Sequence, residues 1–274
     1  MEKPYATRLR RLFNEQVALL DRELIARCEN RRGLRRQTGY LLETAFLELA
    51  TSLAPDLSVE IGAHEASFSW RIKSALPDIH ALAFEANPHV HERFAPELLE
   101  ADVGLDYRLA AVCDHVGTAE LGIPVKLGDA ALDRANEISG LRRWAYPGFE
   151  YESMTVPALT IDVALGSVSN VRSVAWIDAE GSQNEILAGG SDFFNRVAAI
   201  YIEVEDQERW RGQSLEGEIT DRLSAFGLIS AMRDNLARGQ FDEVYIRAES
   251  DIVDTAIPSI LAYLEGLRGL QLAS

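Results

Sequence analysis

A mostly parallel, doubly wound α/β sheet behind an N-terminal helical region is the fold class that this 274-residue sequence predicts. Three observations carry it. Apolar side chains recur at helical spacing through residues 1–56. From residue 57, short buried-looking strands alternate with helices, the pattern of a parallel sheet covered on both faces. The predicted strands also end repeatedly in carboxylates, at the sheet edge where open α/β folds bind ligands. An apolar content of 47% suits one large globular unit with an appendage.

The first helix shows Leu9, Leu12, Phe13, Val17, Leu20 and Leu24 on one stripe; "RRGLRRQTG" interrupts it. A second stripe follows with Leu41, Leu42, Ala45, Phe46, Leu49 and Leu53, closed by Pro55. "LSVEIG" is β-rich, and "ASFSWRIKSAL" is helical with Phe68, Ile72, Ala75 and Leu76 inward. "HALAFEA" is the second buried strand. Asn87-Pro88 then reads as a helix start, with Asn as N-cap and Pro at the first helical position. "LDYRLAAV" is a third strand. Residues 114–157 break the rhythm as an insertion, antiparallel where it begins and aromatic where it ends. The alternation resumes with "SVAWIDAEGS", a helix opening at Ser182 with capping-box spacing, and "AAIYIEVED". A helix ended by Gly227, a late strand "DEVYIRA" and a C-terminal helix complete the chain. Two units are expected: a helical region 1–56 and a ligand-binding domain 57–274 that contains the 114–157 insertion.

The net charge of −16 argues against general affinity for nucleic acid or an anionic membrane. Residues 1–40 run against it, with 10 Lys/Arg and 5 Asp/Glu, and are expected to be solvated helix faces, the alternative being a site for an anionic partner or for another subunit in a homo-oligomer. Cys28 and Cys113 have no metal-ligand spacing. The N-terminus lacks the apolar core of a signal peptide, and no apolar run approaches the ~18 residues of a membrane span. A reduced, cytoplasmic chain is expected.

Glu60, Glu85, Asp178 with Glu180, and Glu203 with Glu205 stand at predicted strand ends. Gly62 permits a tight turn and a close ligand approach. "EIGAHEAS" lacks the spacing of a dinucleotide loop. Glu85, 23 positions beyond Gly62, suits a ribose diol. Asp178 and Glu180, two apart, share a side of an extended chain, as do Glu203 and Glu205. Grouped carboxylates suit a general base or a divalent cation held by oxygen.

"SVEIGAHEASFS", "ALAFEANPHVHERF", "VPALTIDVAL", "VAWIDAEGSQNEILAGG" and "AAIYIEVE", in that order, resemble the motifs of the FkbM-family methyltransferases. The resemblance spans about residues 57–247, and "IDAEGSQNEILAGG" is its most specific part. It implies a class I Rossmann-like methyltransferase fold with an antiparallel late strand. It also implies S-adenosylmethionine as cofactor and methyl transfer to a hydroxyl of a sugar, glycolipid or natural product. By position, Glu60, Gly62 and Ala63 would line the methionine end of the cofactor. Glu85 would hold the ribose, with Ala86 and Asn87 beside the adenine. Asp178 would lie near the transferred methyl and the acceptor, with Glu180 in the D-x-E-G element. The sequence departs from the family at Glu60 (usually Asp), at His64-Glu65-Ala66, and at Trp176, where Lys is usual. Asp178 is the expected base, Glu203 a second carboxylate or cation ligand, and His64 a further candidate. Arg143, Trp144 and Tyr146 of the insertion are expected to meet the acceptor as a lid. Two rivals are a nicotinamide-dependent oxidoreductase, disfavoured by the missing glycines, and a non-catalytic binding module on the same fold.

Overall fold

The computed structural model describes residues 4–20, 24, 31–101, 104–166, 171–235 and 239–273. Cys28 lies outside them; Cys113 is a buried free thiol. The chain opens with α1 (Pro4–Ala18) and α2 (Arg31–Leu53), followed by β1 (Leu57–Ile61), α3 (Ser67–Ala75), β2 (His80–Glu85), α4 (Pro88–Glu100) and β3 (Leu105–Leu109). Next come β4 (Ala111–Val112), β5 (Gly117–Leu127), β6 (Ala130–Ala131), β7 (Phe149–Leu159) and α5 (Ile161–Leu165). The second half holds β8 (Ser173–Ile177), α6 (Gln183–Ala188), α7 (Ser191–Phe194), β9 (Ala199–Glu205), α8 (Glu216–Ala225), β10 (Leu228–Arg233), β11 (Gln240–Arg247) and α9 (Ser250–Ala273).

The main sheet has the order β10-β11-β9-β8-β1-β2-β3. Strands β1, β2, β3, β8 and β9 are parallel, and β11 runs antiparallel to both β9 and β10. Alternation along β9 shows why both faces are covered. Ala199 and Tyr201 enter one apolar cluster, shared with α1, α2 and α9, while Ile200, Ile202 and Val204 enter the other, shared with α5 to α8. Phe46 on α2 is fully buried, with its ring 5.5 Å from Phe68, 6.1 Å from Trp176 and 5.5 Å from Tyr201. The N-terminal helices thus complete the core beneath the sheet.

A second sheet, β4-β7-β5-β6, is built from the long antiparallel pairing of β5 with β7. The stretches 117–127 and 149–159 are therefore regular strands within the insertion, and Phe149–Val156 largely alternates covered and exposed residues. Three local expectations are corrected. Ala75 is exposed at the last turn of α3 rather than inward. Ser182 caps α6 by position only, since its side chain makes no cap hydrogen bond. Strand β10 follows Gly227 directly, its apolar run too short to announce itself beside the helix before it. Among the described residues, no helix is long and apolar enough to cross a membrane.

Candidate active site

The carboxyl ends of β1, β2, β8 and β9 open onto one cavity of about 480 Å³. Glu60 lies at the end of β1. Its carboxylate accepts the N–H groups of Phe68 at 3.3 Å and Ser69 at 2.7 Å, at the start of α3. The N-cap of that helix is Ala66, in the left-handed region and without a capping side chain. Glu60 caps it from the neighbouring strand, because the first N–H groups of a helix need an acceptor. Burial pushes the Glu60 carboxyl up to about 7, against the pull of its hydrogen bonds from Ser69 and Phe68.

Gly62 has φ of 75°, and a Cβ there would lie 1.6 Å from the Asp178 carbonyl oxygen. Only glycine lets β1 and β8 leave the sheet so close together. Gly62 and Ala63 each donate to the Phe84 carbonyl at 3.0 Å. His64, with φ of 46°, donates its N–H to Glu85 Oε2 at 2.8 Å, while its ring rests 5.0 Å from that of Phe94. The Asn87 N–H reaches Glu85 Oε1 at 2.6 Å. Burial raises the Glu85 carboxyl despite these two donors.

Asn87 itself is buried and does not line the cavity. Its Oδ1 accepts the His89 N–H at 3.0 Å and caps α4. Its Nδ2 donates to the Arg134 carbonyl at 2.7 Å and to Ser139 Oγ at 3.0 Å. One side chain thereby ties the end of β2 to the segment Asn136–Leu141, which forms one wall of the cavity.

Beyond β8 the chain turns rather than continuing extended, since Glu180 has φ of 44° and Gly181 has φ of 82°. Asp178, Glu180 and Glu203 still meet: one oxygen of each lies within 4.8 Å of the others. Burial pushes the Asp178 carboxyl up to about 6, with Glu137 on the opposing segment adding to the rise. Burial first, and the neighbouring acids after it, hold Glu180 and Glu203 well above the usual carboxylate range. Glu205 lies outside the cavity and accepts from Gln213 Nε2 at 2.8 Å. Glu60, Glu85, Ala63, Ala86 and His64 line the cavity with this cluster. Its wall carries eight carboxylates and, among the described residues, no lysine or arginine.

Arg143, Trp144 and Tyr146 do not line the cavity. Arg143 stacks 4.7 Å above the Tyr151 ring and donates to Ser153 Oγ at 2.7 Å. Trp144 meets Trp210 edge-on at 4.9 Å, and Tyr146 is half exposed. Sequence reasoning missed Glu43, Glu137 and Ser182, which do line it. Glu137 sits in "RANEISG", where no periodicity marks which side chain faces inward.

The model of the methyltransferase FkbM domain matches residues 60–234. The chain belongs to the FkbM methyltransferase family. The sheet, with antiparallel β11 between β9 and β10, is that of the class I methyltransferase fold. The 2-O-methyltransferase NoeI of Sinorhizobium fredii (strain NBRC 101917 / NGR234) is 22% identical over 224 residues, covering 78% of this FkbM-family chain and 88% of the relative. Among solved structures, the precorrin-6y C5,15-methyltransferase of Geobacter metallireducens GS-15 aligns with a TM-score of 0.38 at 13% identity, covering 73% of this chain and 87% of that one. A SAM-dependent methyltransferase from Aquifex aeolicus aligns with a TM-score of 0.38 at 9% identity, covering 88% and 97%.

Proposed function

We propose that this FkbM-family protein is an S-adenosylmethionine-dependent O-methyltransferase acting on a hydroxyl of a sugar, glycolipid or natural-product acceptor. The observation that carries the reading is Glu85: a buried carboxylate at the end of β2, presented beside a loop whose Gly62 leaves no room for a side chain. That pairing fits a ribose diol against a close-packed backbone. The 2-O-methyltransferase relative supports an oxygen acceptor.

When bound, the cofactor supplies an electrophilic methyl carbon whose sulfur leaves with the bonding pair. The protein's part is to align the acceptor oxygen with that carbon and to take its proton. Glu85 would hold the ribose end, with Ala86 beside the adenine, and Gly62 and Ala63 would wall the methionine end. Glu60 acts one step back, by fixing the start of α3. Asp178 accepts the hydroxyl proton as the C–O bond forms, and Glu203 is the second carboxylate. Asn136–Leu141 forms the acceptor-side wall, while Arg143, Trp144 and Tyr146 lie outside the cavity.

Calorimetric titration tests the reading. S-adenosylmethionine should bind wild type and bind Glu85→Ala about tenfold or more weakly, consistent with loss of charge-assisted hydrogen bonds. Binding of NAD instead would favour an oxidoreductase. Cofactor binding without methylation across a broad hydroxyl panel would favour a non-catalytic module.

A further inference from the structure

Eight carboxylates line one cavity whose lining holds, among the described residues, no lysine or arginine; of the eight, Glu43 pairs with Arg71 at 3.2 Å and Glu180 is offset in part by Arg209 from outside the lining. Carboxylates brought together and partly withdrawn from water either hold their protons or bind a cation. The three that converge are Asp178 and Glu180, from the turn after β8, and Glu203 on β9. Their spacing of at most 4.8 Å matches carboxylates that share one ion at a little over 2 Å from each oxygen.

Two further atoms are left over. Glu203 is 8% exposed, and while its Oε1 accepts from Gln240 Nε2, its Oε2 is buried with no hydrogen-bond partner. Ser182 is 3% exposed, lines the same cavity, and its Oγ likewise has none, although its sequence position is that of a capping serine. A buried hydroxyl without a partner normally signals a missing one. Both atoms are oxygens, as are all the carboxylate donors.

We infer that Asp178, Glu180 and Glu203 form a site for a hard divalent cation such as Mg²⁺ or Mn²⁺, with the Ser182 hydroxyl beside it. Oxygen-only donors select this class over zinc or copper, which favour nitrogen and sulfur. The site deepens the methyl-transfer reading and rests on it for its role. An acceptor hydroxyl docked on the cation becomes more acidic. Its proton would pass to the Asp178 carboxylate as the acceptor oxygen forms the new C–O bond and the methyl C–S bond breaks. A vicinal diol, able to offer the cation two oxygens, is the acceptor class that this arrangement favours.

The test uses full-length protein stripped with EDTA and titrated with MnCl₂ alone, followed by electron paramagnetic resonance and calorimetry. One saturable Mn²⁺ per chain is expected, displaced by Mg²⁺. Glu203→Gln and Asp178→Asn should each weaken it about tenfold or more, while Asp254→Asn, on the exposed side of α9, leaves it unchanged. S-adenosylmethionine is titrated in parallel with EDTA present. Cofactor binding without saturable Mn²⁺, or Mn²⁺ binding indifferent to both acid variants, overturns the cation site and leaves the methyl-transfer reading standing. Mn²⁺ binding without cofactor binding does the reverse. Should both acid variants fail to fold, wild type decides alone: one Mg²⁺-displaceable Mn²⁺ supports the site, and none overturns it.

Discussion

Asn87 separates two jobs that a single substitution can pull apart. Its Oδ1 caps α4 through the His89 N–H, and its Nδ2 pins the 134–139 segment through Arg134 and Ser139. Serine caps a helix about as well as asparagine. Asn87→Ser therefore keeps the first job and, being shorter and without an amide, loses the second. Two part-buried hydrogen bonds at about 0.5–1.5 kcal/mol each give about 1–3 kcal/mol, which is roughly 5- to 150-fold in the opening equilibrium of that wall. Amide hydrogen exchange over residues 134–141 should accelerate by that factor in Asn87→Ser, while α4 keeps its protection. Cofactor affinity should stay within about twofold, because the Asn87 backbone N–H that contacts Glu85 is unaffected. Asn87→Ala is the control, losing the cap as well and destabilising the fold by a further ~1 kcal/mol. Unchanged exchange at 134–141 in Asn87→Ser refutes the pin.

Gly62→Ala should be among the most disruptive single-methyl changes in the chain. It adds a left-handed residue and a Cβ 1.6 Å from the Asp178 carbonyl oxygen, and should lower Tm by several degrees and abolish cofactor binding. A near-native Tm would count against the packing described. Phe46→Ala empties a fully buried site against Phe68, Trp176 and Tyr201, and urea unfolding should show a loss of about 3–5 kcal/mol. Glu243, buried on β11, has its carboxyl raised by burial to about 7 from 4.5. A raised acid contributes stability that is full below the unfolded value and lost as pH climbs through the folded one. Glu243→Gln removes that loss, so its stability relative to wild type should rise between pH 5 and pH 8, by at most about 3 kcal/mol. Parallel stability curves across that window would exclude the linkage.

The parallel core was legible because both faces of its strands are apolar. "AIYIEV" on β9 sends Tyr201 to one cluster and Ile200 and Ile202 to the other, so no polar alternation disguises it. The β5–β7 ribbon was less so. β7 largely alternates covered and exposed residues, but β5 is buried only over Leu121–Pro124, so the two stretches show no matching alternation that announces their pairing, which the backbone register sets. β10 escaped for a related reason: "LISAMR" is short, and only its place beside β11 at the sheet edge makes it a strand.

At the site, position was legible and engagement was not. Strand-end acids fall at the cavity because a parallel sheet sends its carboxyl ends to one edge, which topology alone guarantees. What each oxygen then touches depends on backbone angles that residue type does not announce. Ala66 and His64 adopt left-handed conformations usually left to glycine or asparagine, and so turn the loop that brings Glu60 to α3 and the His64 N–H to Glu85. Held in place by the surrounding core, such strained residues store about 1–3 kcal/mol each. Relieving one, by Ala66→Gly, should leave Glu60 capping α3 and raise stability by up to about 1 kcal/mol, less whatever chain entropy the new glycine adds to the unfolded state. If Ala66→Gly instead lowers Tm by several degrees, the buried Ala66 methyl contributes more to packing with Ala63 and Ala83 than its backbone costs, and the loop is held by its core rather than in spite of it.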